Sequence, residues 1–352
     1  MTERAFETRP TSARLPQRQD SLAPMAPAQI SQALHLMIQS RAIDELVIKL
    51  QRLKRAGTFA PVHGQEAAVV GSAMALDPMR DWMVPASREN PAMIHHGLPV
   101  KNLLSLYMGR LDFATIPMGV KLLPRQQSIG AQLPHAAGLA WALKLRRQSA
   151  VTLVYCGDGA SSEGDFHEAL NLAGVMRVPL IIVLVNNQYA ISTPLHKQTA
   201  APTLAMRAAG YGFRGVAIDG NDLFAVFATT QEAVTRALDG DGPTLIECRT
   251  YRLGFHNTSD NPNDYRDPAE LERAMLNDPI ERLRNYVVNT GISSAEEVAD
   301  LTLRIKQELF DLQREVGELP RPGPEFIFDH VYAQLSERLI RQRSAAIEEN
   351  SE

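Results

Sequence analysis

Four short runs of almost uncharged, largely aliphatic residues, 151–156 (VTLVYC), 180–185 (LIIVLV), 215–218 (GVAI) and 244–248 (TLIEC), are separated by stretches whose apolar residues recur at helical spacing. Nothing else in the chain constrains its fold as strongly. Strands that are apolar along their whole length are buried on both faces, and a helix between consecutive strands makes them parallel. The pattern predicts an α/β fold: a doubly wound, mostly parallel sheet with helices on both faces. Sheets of this kind bind ligands beyond the carboxyl ends of their strands, where the winding reverses. The turn after Cys156 occupies such a position.

The flanks are helical. An amphipathic helix is predicted from Pro27 to Arg55, with Leu34, Ile38, Leu46 and Leu50 among its apolar positions and Gly57 ending it. Gln65 to Leu76 reads as a second helix of small residues, suited to close packing against other backbone. From Asp267 the composition shifts to charged helices. Ser293 and Glu296 form a predicted capping box, and Val298, Leu301, Ile305, Leu309, Leu312 and Val316 follow at spacings of three and four. The expected organisation is a flexible N-terminal arm over 1–27, an α/β domain over 28–290, and a helical extension over 291–352 packed on the domain or on a partner.

Composition excludes several classes of function. The net charge of −4 over 352 residues gives no reason to expect nucleic acid or an anionic membrane as partner. No apolar run is long enough to span a bilayer. Cys156 and Cys248, the only two cysteines, lie in strand-like runs and read as small buried hydrophobes of a reducing compartment. The N-terminal stretch carries Arg4, Arg9, Arg14 and Arg18, but Glu3, Glu7 and Asp20 are unlike a transit peptide, so a cytoplasmic location is expected.

The turn itself, YCGDGASSEGDFHEALN over 155–171, leaves a strand, crosses two glycines and restarts as a helix. Backbone N–H groups and the helix dipole make such a turn an anion site. It lacks the Gly-Lys-Ser/Thr of a Walker loop. A dinucleotide fingerprint fails as well, because Ser162 stands at the third glycine position and Asp158 would repel a bare pyrophosphate. A carboxylate among phosphate-binding glycines makes sense when a divalent cation lies between them, and Mg²⁺ takes one or two carboxylates plus phosphate oxygens. The next strand runs into Asn186 and Asn187, one helix and one strand beyond Asp158, which places the two strand ends side by side. Asp158 and Asn187 then form a Mg²⁺–diphosphate clamp.

GDG followed one helix and one strand later by NN resembles the thiamine-diphosphate motif. The surrounding blocks GDGASSEGDFHEALN and NNQYAISTP, with GQEAAVVGSAMAL, SIGAQLPHAAGLAWALK, AIDGND and TYRLGFHNTSD, are similar to the alpha subunit of the decarboxylating component of 2-oxo acid dehydrogenase complexes. The resemblance covers about Arg41 to Asp278. It implies a thiamine-diphosphate-binding fold, with thiamine diphosphate and Mg²⁺ as cofactors. The implied activity is decarboxylation of a 2-oxo acid and transfer of the acyl group to a lipoyl-bearing acyltransferase component. It further implies an α₂β₂ assembly whose beta subunit supplies the glutamate that activates the cofactor.

Residue by residue, the resemblance implies that Asp158, Asn187 and the backbone carbonyl of Tyr189 bind Mg²⁺, while Gly157, Gly159 and Ala160 hold the diphosphate. Arg88 stands at a diphosphate-binding position, Ile129 where an apolar residue props the cofactor in its bent form, and Gln127 beside the aminopyrimidine. His256 matches the active-site histidine, a loop imidazole suited to acid–base work near neutrality. Arg252 and Arg266 flank and order its loop, and Phe59 matches an aromatic near the substrate. The chain departs from the family at Ser87, where relatives have Tyr, at Val185, where many have Arg, and in 109–132, which lacks a second loop histidine and has Asp112 or a neighbour there. Asn257 and Asp264 replace serines that are phosphorylated in mitochondrial relatives, so kinase control at those positions is not expected. The block LPRQQSIGAQLPHAAG favours pyruvate over branched-chain 2-oxo acids. The alternatives are an acetoin-type dehydrogenase or other thiamine enzyme that does not use lipoate, and a non-catalytic paralogue.

Overall fold

The four apolar runs form the sheet they predict, their ends shifted by about one residue. The structure, a computed structural model, describes residues 25–350. The chain begins with α1 (Pro27–Arg52), α2 (Glu66–Met74), β1 (Trp82–Val84), α3 (Asn90–His95), α4 (Val100–Tyr107) and α5 (Gln132–Leu145). A central unit follows: β2 (Thr152–Gly157), α6 (Gly164–Met176) and β3 (Leu180–Asn186). Next come the small hairpin β4 (Tyr189–Ala190) and β5 (Thr193–Pro194), then α7 (Leu195–Gln198), β6 (Arg214–Asp219), α8 (Leu223–Leu238) and β7 (Thr244–Arg249). The remainder is helical: α9 (Pro268–Met275), α10 (Pro279–Asn289), α11 (Ala295–Glu318), α12 (Phe326–Asp329) and α13 (Glu337–Glu349).

The main sheet has the order β1-β2-β3-β7-β6, with every pair parallel. Its two faces are covered by different helices, as continuous apolar strands require. Leu153, Tyr155, Ile181, Val183 and Ile246 join the cluster that includes α1, α2 and α8. Val154, Cys156, Ile182, Leu184 and Leu245 face α5 and α6. Each such side chain contributes roughly 1.5–3 kcal/mol on burial, so one strand residue replaced by a polar one weakens a whole layer. Both cysteines are free and buried, and burial pushes their thiols well above the usual range.

All nine residues of α2 are buried, in keeping with its small side chains. A Cβ added at Gly71 would lie 3.0 Å from the Leu223 carbonyl and from Val226 on α8, so the two helices pack backbone to backbone.

The structure corrects or extends several expectations. The capping box lies one residue later than predicted: Ser294 Oγ accepts from the Glu297 N–H at 3.1 Å, and Glu297 accepts from the Ser294 N–H at 2.7 Å. Ser293 donates to the same glutamate at 2.7 Å, which explains why the sequence pointed to it. Helix α11 buries Val298, Ile305, Leu309 and Val316 in the same core cluster as α1, so its apolar stripe is turned toward its own chain. Helix α13 buries no residue. Strand β1 and the β4–β5 hairpin carry no strand signal of useful length. The predicted arm lies outside the described residues up to position 24; Met25 is already buried and Pro27 opens α1.

Candidate active site

The β2–β3 register sets Gly157 opposite Val185, so Asp158 and the Asn186-Asn187 pair emerge from neighbouring strand ends. Beyond β2 the chain makes a 3₁₀ turn over Gly159–Ser162 before α6 begins at Gly164. Ser161 Oγ donates to the Asp158 carbonyl at 2.5 Å and tightens this turn. At Gly159 a Cβ would come within 2.9 Å of the Ala190 side chain, so the hairpin lies directly against the glycine.

Asp158 is 2 % exposed. Among the described residues its carboxylate makes no ion pair, and its side-chain partner is Gln198, whose Nε2 donates to Oδ2 at 2.7 Å. Burial holds the Asp158 carboxyl above the usual range, partly offset by the Gln198 amide. The Arg252 charge also favours its ionised form, but a buried carboxylate with no direct ion pair remains a costly arrangement that a bound cation would complete.

The two asparagines have separate tasks. Asn186 donates through Nδ2 at 2.7 Å to Glu247, a buried acid in β7 that also accepts from the Ala205 N–H at 2.9 Å. This contact explains the one charged residue in TLIEC. Asn187, 6 % exposed, donates through Nδ2 to Gln65 Oε1 at 3.0 Å. Gln188 then turns the chain with φ +75°, a left-handed conformation that costs a non-glycine residue roughly 1–2 kcal/mol. The turn brings the Tyr189 carbonyl to Arg252, whose Nη1 donates to it at 3.1 Å. A carbonyl oxygen has a second lone pair, so this bond leaves Tyr189 one acceptor position.

Arg252 is 1 % exposed and also donates to the Ile191 carbonyl and the Tyr265 hydroxyl, each at 2.6 Å. Arg266 donates to the Arg252 carbonyl at 2.6 Å and to Gly254 at 3.2 Å. Arg266 thus bonds backbone oxygens of the loop around His256, Arg252 ties that loop's Tyr265 hydroxyl to the β4–β5 hairpin, and neither makes an ion pair among the described residues. Asp260 accepts from the His256 N–H and from the Tyr265 hydroxyl, both at 2.7 Å. Burial works against ionisation of Asp260, yet those bonds and the Arg252 charge hold it below the usual carboxylate range.

Arg88 reaches this loop from the other side. Its Nη2 donates to the His256 carbonyl at 2.8 Å and to the ring Nδ1 at 3.1 Å, and its Nη1 to the Pro61 carbonyl. An arginine cannot accept, so Nδ1 is the lone-pair nitrogen and Nε2 carries the proton. Burial lowers the His256 pKa first, the Arg88 and Arg252 charges lower it further, and together they bring it to about 4. The near-neutral titration expected of this imidazole is therefore not what its surroundings impose: at pH 7 the ring is neutral. Burial, then Arg252, pushes Arg88 itself down to about 10. Glu89 holds the turn that presents Arg88, accepting from the Ala86 and Arg88 N–H groups at 2.9 and 3.0 Å.

Phe59 is 1 % exposed, edge-on to Tyr107 with ring centroids 4.8 Å apart. Its backbone pairs with Thr258 of the His256 loop, so in this chain it is a buried support of that loop. Gln127 and Ile129 are different: both are exposed, Ile129 by 59 %. Gly130, at φ +89°, brings their segment against the turn before α6, where a Cβ would meet Glu163 at 3.1 Å. Sequence reasoning assigned no role to Gln198, Gln65, Glu89, Asp260 or Tyr265. Their residue types are ordinary in loops, and only contacts across the fold reveal them.

A family described as "Dehydrogenase E1 component" matches residues 34–325. The 3-methyl-2-oxobutanoate dehydrogenase subunit alpha of Mycobacterium tuberculosis is 40 % identical over 315 residues, covering 88 % of this chain and 84 % of that protein. The pyruvate dehydrogenase E1 component subunit alpha of Staphylococcus aureus is 37 % identical over 325 residues, covering 92 % and 88 %. With a family match over most of its length, and with relatives this similar, the chain belongs to the dehydrogenase E1 component family.

Proposed function

We propose that this chain is the alpha subunit of a 2-oxo acid dehydrogenase and binds the diphosphate end of thiamine diphosphate together with Mg²⁺. The observation that carries this reading is the buried Asp158 carboxylate, with no ion pair among the described residues, beside Asn187 at adjacent parallel strand ends. The donor set fits the cation: a carboxylate, a side-chain amide and a backbone carbonyl are the hard oxygen ligands Mg²⁺ prefers. The cradle fits a diphosphate, because the turn at Gly157–Ala160 offers backbone N–H groups and Gly159 has no room for a side chain.

When bound, thiamine diphosphate supplies the electron sink for loss of CO₂ from a 2-oxo acid. The chain's own residues then have defined tasks. Asp158, Asn187 and the Tyr189 carbonyl would hold Mg²⁺. Arg88 would share its donors between a phosphate oxygen and the His256 loop. His256 holds a proton at Nε2 and is neutral at pH 7, so it donates as an imidazole. An anion beside Arg88 opposes the field that depresses His256 and raises its pKa toward the usual 6.5. The carboxylate that activates the head of the cofactor would come from a beta subunit, with a lipoyl-bearing acyltransferase component receiving the acyl group.

The test is an assay of 2-oxo-acid-dependent reduction of an artificial electron acceptor, with the chain alone and with its beta-type partner. Activity is expected only from the pair; full activity from the isolated chain would sink the two-chain reading. We favour pyruvate as substrate on the LPRQQSIGAQLPHAAG block. The branched-chain reading draws on the 40 % identity to the mycobacterial protein. One methylene in a pocket discriminates by only ~1–3 kcal/mol, so kcat/KM for pyruvate against 3-methyl-2-oxobutanoate decides between them.

A further inference from the structure

Gln65 stands just before α2 and is 1 % exposed. Its Nε2 donates to the Val62 carbonyl at 3.4 Å, and its Oε1 accepts from Asn187 Nδ2 at 3.0 Å. A primary amide has two ends of nearly the same shape and opposite polarity, and only the oxygen end can ligate a hard cation. Here the orientation can be traced from a group that cannot turn over. The Val62 carbonyl only accepts, so it faces the NH₂ of Gln65. That leaves Oε1 toward Asn187, and the one end of Asn187 able to meet it is Nδ2. Asn187 Oδ1 therefore falls on the far side of its amide, where the Tyr189 N–H lies 3.3 Å away.

The start of this chain of bonds is itself anchored. The Val62 N–H donates to Asp44 Oδ2 at 2.8 Å, and Asp44 is a fully enclosed residue of α1. The Gln65 N–H also bonds the Val62 carbonyl, at 2.8 Å. An Asn187 amide turned the other way would set its oxygen against Gln65 Oε1 in a buried contact, two acceptors with no proton between them.

We propose that Gln65 is a positioning residue that holds the Asn187 side-chain amide with its oxygen toward the divalent cation. The proposal rests on the reading of Asp158 and Asn187 as the cation site. Partners that orient a metal ligand typically change metal affinity by about 10–100-fold when removed, and an effect in that range is expected here.

The experiment uses the full chain assembled with its beta-type partner at saturating thiamine diphosphate, with Mn²⁺ as probe and free Mn²⁺ read by electron paramagnetic resonance. Gln65→Met keeps the length of the side chain and removes both poles of the amide. Its Mn²⁺ dissociation constant should rise about tenfold or more, while the metal-free melting temperature of the assembly stays near that of the wild type. Gln65→Glu keeps an oxygen facing Nδ2 and should retain Mn²⁺; loss of Mn²⁺ there overturns the proposal. Asn187→Asp has two equivalent oxygens and needs no orientation, so adding Gln65→Met to it should cause no further loss. Should Gln65→Met not assemble, Gln65→Ala removes the same acceptor without bulk and takes its place. Wild-type Mn²⁺ affinity in that variant overturns the role of Gln65 alone. If instead the wild type fails to retain Mn²⁺ with the cofactor, the cation-site reading beneath it falls.

Discussion

The two ends of the candidate site are built differently. At the closed end, formed by Asp158, Asn187 and the His256 loop, Asp158, Asn187, Arg88 and Arg252 are buried, the loop itself is half-buried, and hydrogen bonds lead into the sheet and the start of α2. At the other end, Gln127 and Ile129 stand exposed on a segment that touches the first end through Gly130. If Ile129 props the cofactor as the family resemblance implies, its 59 % exposure calls for a second surface, such as a beta-type partner would supply. The contrast fits the proposal that this chain would hold the tail of the cofactor while a partner chain would meet its head.

Substitutions can break or sharpen that contrast. The largest effect is expected at Phe59, behind the His256 loop: Phe59→Ala should cost ~3–5 kcal/mol of stability, read from the denaturant midpoint, as for other large buried aromatics. Asp158→Ala comes next. Cofactor retention in the presence of Mg²⁺, followed by equilibrium dialysis, should fall at least about 100-fold, because even the outer partners of a metal ligand are worth about 10–100-fold. Retention unchanged in that variant would remove the cation from the account of the closed end.

Arg88 offers a finer test, because it links both functions of that end. Without cofactor, the His256 ring should remain neutral from pH 7 down to about 4 when followed by NMR. The folded pKa lies below the unfolded value of 6.5, so the unfolded chain takes up the proton first. The contribution of His256 to stability is therefore intact above pH 6.5 and is lost as pH falls toward 4. Arg88→Met should move the His256 titration upward, since it deletes the larger of the two charges that depress it. A titration still centred near 4 would leave burial and the Arg252 charge as the cause.

The smallest effect on stability is expected at the open end. Ile129→Ala in the isolated chain should stay within about 0.5 kcal/mol, as exposed positions usually do. The same substitution should lower activity once the beta-type partner is present. Should Ile129→Ala destabilise the isolated chain as much as Phe59→Ala, the division into closed and open ends would be wrong.

Much of this was legible beforehand because the informative elements are local. Parallel strands buried on both faces read as unbroken apolar runs, and β2, β3, β6 and β7 lie where those runs predict. Strand β1 has three residues and the hairpin strands two each, too short for any period to show. The capping box slipped by one residue because Ser293 and Ser294 both bond Glu297, and sequence does not say which hydroxyl meets the backbone. Asp158 and Asn187 stood out because a carboxylate between glycines asks for a cation. Gln65 and Gln198 did not, because an amide in a loop has no meaning until something is placed across from it.

The sequence by itself determined four of the five strands, their parallel sense and the strand ends that carry Asp158 and Asn187, since hydrophobic period and connection length act within a few tens of residues. Tertiary structure alone decided the state of the groups there. Asn187 is oriented by a residue far upstream, His256 is kept neutral by burial and by Arg88 and Arg252, and Phe59 is enclosed while Ile129 is not. Orientation, charge and exposure depend on what lies within a few ångströms, and those neighbours come from segments far apart along the chain.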